Sequence, residues 1–596
     1  MRTLYKSSLV VAFGLLTFGV SAQQRNTTPK DTTFNRQVML ERDYNPTLKD
    51  ASKINTTPEV YNPVVKKVNV TFAEEVPQIT INSNRLGGAQ SGDIATNVDF
   101  DSKRGYLILG AGNNSNLSGA AGYRILNSSN NKLDLFANHS SSSSNIDYTE
   151  KGYLIDKAKA KYSDTKVNLR YAHTFDQSEL SIGTSYFNTG YNYYGNSFQS
   201  IDQSNIIYDL NTRQNVDVIS FDAAIRSTDN SEGLLKYKIG ASYNNFKQKY
   251  AWIKDDAGPK GGIINLDADF NTPFDSDKTL GVALNILNQH FSDDELGGPN
   301  TYHSYNNISM SPYFNIEGEA FNVSLGANLA YLKDVKSSFL LAPNVKAFYN
   351  IGERSQFYAA VTSGVNNNTF LDILSENRYV QPRARVEMSK TYYDASLGFK
   401  SGVLDGFEFD IFGGYKYTKK DHLYVLDVLE LNQTSNMWGN IGTPIYANLN
   451  TGHFGAGVKT NLIPYTDLSA RFTGYFYTVK YTDSYAFNYT GIYPDEKKAW
   501  GKPTFTAELN ADVKVIPQLI LSMNYQYMGG RKAFVSWIGS MKMKDVNELN
   551  FRGEYQVLDW FSVNVRLNNV LGQKYELQPG YALQGFNVLG GVSFRF

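Results

Sequence analysis

Reactive side chains are few in this sequence and poorly spaced for catalysis. There is no cysteine among the 596 residues. That removes disulfides, thiolate metal sites and thiol nucleophiles together. The six histidines, His139, His173, His290, His303, His422 and His453, are scattered without metal-ligand spacing. A serine hydrolase needs serine, histidine and an acid near one rim. His139-Ser140-Ser141 supplies two of the three types, but the Ser-rich run around it reads as a polar strand end entering a loop. Gly110-Ala111-Gly112 lies in a strand and lacks the helix that follows a phosphate-binding loop. Asp293-Asp-Glu-Leu-Gly-Gly298 offers hard oxygens to Ca²⁺, and reads more simply as a solvated acidic loop. The expectation is no enzyme, no cofactor and no resident metal.

Recognition chemistry is better represented. Tyr186-Phe-Asn-Thr-Gly-Tyr-Asn-Tyr-Tyr-Gly-Asn-Ser-Phe198 crowds rings and amides just past a strand end. Tyr191, Tyr193, Tyr194 and Phe198 are therefore the candidate ligand-binding residues, able to stack on sugars or peptides. The same rings also suit an aromatic girdle at a membrane interface. Arg471, Glu508, Asp512, Arg552, Glu554 and Arg566 fall on the polar faces of strands and read as ion pairs lining an interior. Basic and acidic residues balance at 57 and 57, and no basic stripe stands out. Nucleic acid is excluded as a partner on electrostatic grounds.

The elements that carry these residues are strands of one kind. In Phe586-Asn-Val-Leu-Gly-Gly-Val-Ser-Phe-Arg-Phe596, one face is Phe586, Val588, Gly590, Val592, Phe594 and Phe596, and the other is mostly polar. Such alternation marks a strand with different solvents on its two sides. Val167–Tyr171, Leu235–Tyr243, Phe407–Ile411, Phe505–Val515, Leu519–Tyr527 and Phe561–Leu567 repeat the pattern. About nine to eleven residues suffice for a tilted strand to cross a bilayer, and several of these runs are that long. Tyrosine is abundant, at 42 residues, which suits a large water–lipid boundary.

The connections alternate in length. Short ones fall at 127–130, 175–178, 271–277, 317–319, 351–354, 401–404, 464–466, 516–517 and 556–559. Long ones fall at 140–164, 191–210, 247–259, 291–302, 366–382, 419–444, 481–499, 529–545 and 571–583, with short exceptions near 114–117 and 334–338. This rhythm predicts an all-β transmembrane antiparallel barrel of about 22 strands over residues 104–596, with short periplasmic turns and long extracellular loops.

Ahead of it, residues 1–22 read as a signal peptide: Arg2 and Lys6, an apolar core from Leu9 to Val20, and a Val20-Ser21-Ala22 cleavage site. Residues 23–103 form an extended Pro/Thr/Asn-rich segment, periplasmic or lumenal, with Val64–Phe72 as its single strand-like run. The predicted location is the bacterial outer membrane, with its lipid as the first partner.

Two short motifs add a resemblance. Asn569-Val-Leu-Gly-Gln-Lys-Tyr575 resembles the Asn-Leu-Phe-x-x-x-Tyr element before the last strand of TonB-dependent receptors, particularly those of the Bacteroides group. Gly591-Val-Ser-Phe-Arg-Phe596 resembles their closing sequence. The resemblance implies a receptor barrel for nutrient uptake, coupled through TonB and stoppered by an N-terminal plug of well over a hundred residues. Residues 23–103 are shorter than such a plug and show no clear coupling segment; Val68-Asn-Val-Thr-Phe72 fits that role only if forced and reads more simply as a plain strand. The alternative is a plug-less structural or assembly component of an outer-membrane complex, with a lipoprotein or periplasmic partner.

Overall fold

The structure is a computed structural model. It describes residues 103–147, 157–195, 213–228, 235–251, 257–292, 302–334, 336–382, 384, 387–427, 441–481, 497–535 and 539–596. The signal peptide, the 23–103 segment with Val64–Phe72, all but its last residue, and the acidic loop at 293–298 lie outside these.

Strands from Gly105–Gly112 to Asn587–Arg595 pair antiparallel, each with its successor around the wall. The last strand then returns to the first, with Leu109 opposite Val592 and Tyr106 opposite Arg595. The result is a closed 22-strand barrel, the number read from the connections. Closure leaves no open sheet edge, which is what a bilayer demands of a strand wall, since no water is there to satisfy unpaired N–H and C=O groups. The terminal residue completes the seam: Gly105 N–H donates to the Phe596 carbonyl at 2.7 Å, and Phe596 N–H returns a bond to Gly105 at 3.0 Å.

Side-chain alternation separates two environments. Leu397, Leu341, Phe454 and Ile411 point away from the lumen and are 57–71% exposed to whatever surrounds the wall. Large rings sit at both margins of this apolar belt. Phe274, Tyr465 and Trp560 lie near the short-turn rim, and Phe339 and Phe476 lie toward the long-loop rim. On the lumen side Asp410 accepts from the Tyr358 hydroxyl at 2.9 Å and faces Arg471 at 3.9 Å. Arg552 pairs with Glu554 at 2.8 Å. These include part of the interior ion-pair set expected from sequence.

Two loops are shorter than their sequence suggested. Asn131–Asp147 and Lys157–Thr174 extend as one ladder through Ser140–Asp164, and His139-Ser140-Ser141 lies inside that ladder. Phe407–Asp427 and Ile441–Thr460 likewise run well into the 419–444 stretch. These extensions are polar or covered on both faces, so the apolar alternation that marks a strand in lipid is missing. Backbone pairing continues regardless, because the ladder satisfies the N–H and C=O groups whatever the side chains are.

Candidate functional site

The connection after Ser355–Asn366, one of the long ones in the sequence, contains a helix, α1 (Phe370–Glu376). Thr369 Oγ1 accepts from Asp372 N–H at 3.2 Å, and Asp372 Oδ2 accepts from Thr369 N–H at 2.9 Å. That reciprocal cap fixes the start. Phe370, Ile373 and Leu374 at i, i+3 and i+4 give α1 an apolar stripe, and all three are buried. Asn377 ends the helix in an extended conformation, its N–H on the Ile373 carbonyl.

The stripe folds into the long-loop mouth of the barrel. Phe370 stacks on Phe246 of the wall at 4.5 Å, and its N–H donates to Gln289 Oε1 at 2.8 Å. The wall positions it meets, such as Ala160, Val216, Val218, Ile263 and Leu287, point inward and are apolar. A barrel interior open to water has no reason to place them there. Each large apolar side chain so buried contributes roughly 1.5–3 kcal/mol.

Two residues beyond α1 span the opening. Arg378 Nη2 lies 2.9 Å from Asp164 Oδ2 on the wall, with the guanidinium over the rings of Tyr162 and Tyr191. Burial works against its charge, but the Asp164 carboxylate outweighs burial and holds the guanidinium above its ordinary value. The Tyr379 ring stacks on Tyr581 at 3.7 Å and meets Tyr191 and Tyr194 edge-on at 6.0 and 5.7 Å. Burial pushes the Tyr379 and Tyr193 hydroxyls up to about 12, so both stay protonated at neutral pH.

This is where three of the four sequence candidates lie. Tyr191, Tyr193 and Tyr194 are 0–1% exposed. They are neither an open stacking face nor a lipid girdle in this conformation, because α1 and its following residues cover them. Tyr193 Oη donates to the Val380 carbonyl at 3.3 Å and Tyr194 Oη to the Ala582 carbonyl at 2.8 Å. Phe198 lies outside the described residues. Sequence reading missed Arg378, Tyr379 and Tyr581. The Thr369–Asp372 cap ahead of an apolar stripe was the one signal that pointed to a docked element.

The other side of the α1 segment is latched to a strand pair. His422 Nε2 lies 2.5 Å from Glu376 Oε2, and the Tyr424 hydroxyl donates to the same carboxylate at 3.1 Å. Glu387 N–H donates to Tyr446 Oη at 2.8 Å, and its carboxylate pairs with Lys420. At the base, Asn368 Nδ2 holds the Glu387 carbonyl and Ser389 Oγ, each at 2.7 Å. Between α1 and the wall remains a cavity of about 280 Å³ bordered by Lys166, Ser185, Thr189, Leu371, Ser375 and Arg378. It is near the lower limit for a small-molecule pocket, roughly 300 Å³.

The Asn569–Tyr575 motif acquires a physical reason at the same rim. Asn569 is fully buried with φ 48°. Its Nδ2 donates to the Gln573 carbonyl at 2.8 Å, and its Oδ1 accepts from Gln573 N–H at 3.0 Å. Asparagine tolerates this left-handed conformation better than most residues. The Tyr575 hydroxyl then reaches Glu548 on the wall. Arg531 donates to the carbonyls of Lys544 and Glu576 at 2.9 and 2.8 Å, and burial brings it down to about 10. Among the described residues no group of histidines and carboxylates is placed to hold a metal ion.

Solved structures share this wall. The siderophore receptor PirA from Acinetobacter baumannii matches over 83% of this chain and 80% of its own, with a TM-score of 0.60 and 11% identity. A mutant of the ferric enterobactin receptor PfeA from Pseudomonas aeruginosa matches over 85% and 81%, at 0.59 and 12%. The pyoverdine-bound FpvA of P. aeruginosa matches over 83% and 72%, at 0.58 and 14%. This is the fold of an outer-membrane receptor barrel. No protein-family model and no curated protein matches the sequence.

Proposed function

We propose that this protein is an outer-membrane receptor that takes up a nutrient through its lumen, with the α1 segment as the closure on the extracellular side. The carrying observation is the apolar inner wall at the long-loop mouth, complementary to α1 and covered by it. A 22-strand barrel is wide enough to need a stopper. The likeness to siderophore receptors supports uptake from outside and makes a ferric siderophore the first ligand to test. On this reading a ligand enters after the segment carrying Arg378 and Tyr379 lifts, and Tyr191, Tyr193 and Tyr194 are then uncovered for contact. Residues 23–103 are the segment to test as a stopper or as the contact for a TonB-like coupling partner.

Conductance in planar bilayers tests this. The full-length protein is expected to be closed, and replacing 370–388 by a short turn to raise conductance. Free leakage by the full-length protein defeats the closure. An unchanged conductance after deletion of 23–103 removes that segment as a stopper.

The core-like packing of α1 also favours a second reading, in which the mouth is sealed permanently and the barrel serves as an assembly component. Extraction from native membranes in mild detergent separates the two. A stoichiometric lipoprotein or periplasmic companion, with no ligand-dependent opening, selects the assembly role.

A further inference from the structure

Beneath the docked α1 segment the inner wall is layered by height. Lys166, Phe187 and Val218 are cross-strand partners in one row on the lumen side. One row nearer the short turns, Ser185, Ser220 and Asn244 are partners in the same way. Residues two apart along a strand share a face, so both rows look into the lumen. The wall thus presents an apolar row above a polar one, with a lysine at the end of the apolar row. From above, Leu371, Leu374 and Ser375 stand at i, i+3 and i+4 on α1, with Arg378 following. Wall and helix together enclose the cavity of about 280 Å³.

The charges of this cavity do not cancel. Asp164 answers Arg378 at 2.9 Å, and Lys166 has no ion-pair partner among the described residues. Two cations against one carboxylate leave a single positive charge. The acids of α1 do not offset it: Asp372 is held in the helix cap and Glu376 by His422. Deeper in the lumen Arg170 and Asp222 answer each other at 3.6 Å. An unanswered cation beside an apolar row is complementary to an anionic head on a hydrocarbon body.

We infer that the cavity holds a small amphipathic monocarboxylate. Its carboxylate sits on Lys166 at the border with Arg378, and its apolar body lies against Phe187, Val218 and Leu374. The single excess charge selects one carboxylate. The volume, close to the lower limit of roughly 300 Å³ for a small-molecule pocket, selects a cargo smaller than a ferric siderophore. The polar row of Ser185, Ser220 and Asn244 places the site on the lumen side of the closure, so an occupant has already passed the mouth and α1 docks behind it. The inference rests on the uptake reading and names a cargo class for it.

Equilibrium dialysis of the full-length protein in lipid nanodiscs against radiolabelled octanoate, with empty nanodiscs as the blank, tests it. One saturable site is expected. Acetate, which lacks the body, and 1-octanol, which lacks the charge, should each compete about tenfold more weakly or worse. Lys166→Gln should weaken octanoate binding by about tenfold, the worth of one charged hydrogen bond. Lys238→Gln, on the strand Lys236–Gln248 but outside the cavity, should leave it unchanged. Octanoate should also slow proteolysis within 370–388, because the docked segment covers it. Equal competition by 1-octanol, equal loss in the two lysine variants, or faster cleavage with octanoate overturns the inference. A barrel that is closed in planar bilayers yet lacks a saturable site sinks the cargo class alone. A full-length barrel that leaks sinks the uptake reading, and the inference with it.

Discussion

The ring of Tyr379, in the segment after α1, lies against the ring of Tyr581, in the loop before the last strand, with centroids 3.7 Å apart and planes at 12°. Two loops remote in sequence thus meet across the mouth. The contact is aromatic on both sides and closed to water, since both rings are buried. Stacking of this kind adds about 0.5–1.5 kcal/mol beyond area burial. It is one of several contacts that hold the α1 segment in place, and each is open to a separate test.

Tyr379→Ala is expected to weaken docking by about 3 kcal/mol, the usual cost of emptying a buried aromatic site. Limited proteolysis of folded protein should then cut within 370–388 roughly a hundred times faster, while the barrel keeps its heat-shifted mobility. Unchanged cleavage would show that the stack is incidental.

Arg378→Met is expected to destabilise docking by about 1–3 kcal/mol, because it leaves the partly buried Asp164 carboxylate with the Thr189 hydroxyl as its remaining donor. Adding Asp164→Asn removes the stranded charge and should recover part of the loss. A double-mutant cycle on proteolytic protection measures the coupling, and simple additivity would rule out the pair as a latch.

Acid should loosen the same segment. Burial alone would raise the half-exposed Glu376 carboxyl, but the His422 ring and then Lys502 outweigh it and hold the carboxyl below its ordinary value. A carboxyl depressed in the docked state contributes its stabilisation above the free value, about 4.3, and loses it as pH falls through the lower docked value. A fluorophore on Ser375→Cys, the chain's single thiol, should therefore gain mobility below about pH 4. In Glu376→Gln that step should vanish.

The seam makes opposite demands on two glycines. A Cβ on Gly112 would stand inside contact distance of the Val588 carbonyl oxygen, whereas one on Gly590 meets nothing within 4 Å. Gly112→Ala is expected to cost about 1–3 kcal/mol through forced backbone shift. Gly590→Ala should be near neutral. Refolding titrations in lipid compare them, and equal effects would contradict the seam geometry.

Leu397→Arg probes the medium around the wall. Its side chain is 67% exposed and points away from the lumen. In a bilayer an arginine at that depth should cost about 2–4 kcal/mol. If water surrounds the wall instead, the substitution should leave stability within about 0.5 kcal/mol.

The wall was legible residue by residue. Lipid on one side and a polar lumen on the other impose a period of two on each strand, and that period needs no knowledge of any other strand. Val588, Val592 and Phe594 therefore announced their face, and the short–long rhythm announced the closed, even-stranded count. The mouth was not legible in this way. Arg378 finds Asp164 from 214 positions away, and Tyr194 finds the Ala582 carbonyl from 388. Contacts of that range leave no periodic trace, so the burial of Tyr191, Tyr193 and Tyr194 could not be read from their own neighbourhood. Local alternation answers to the solvent each residue meets, whereas loop docking is a sum of long-range contacts that exists only once the barrel has closed.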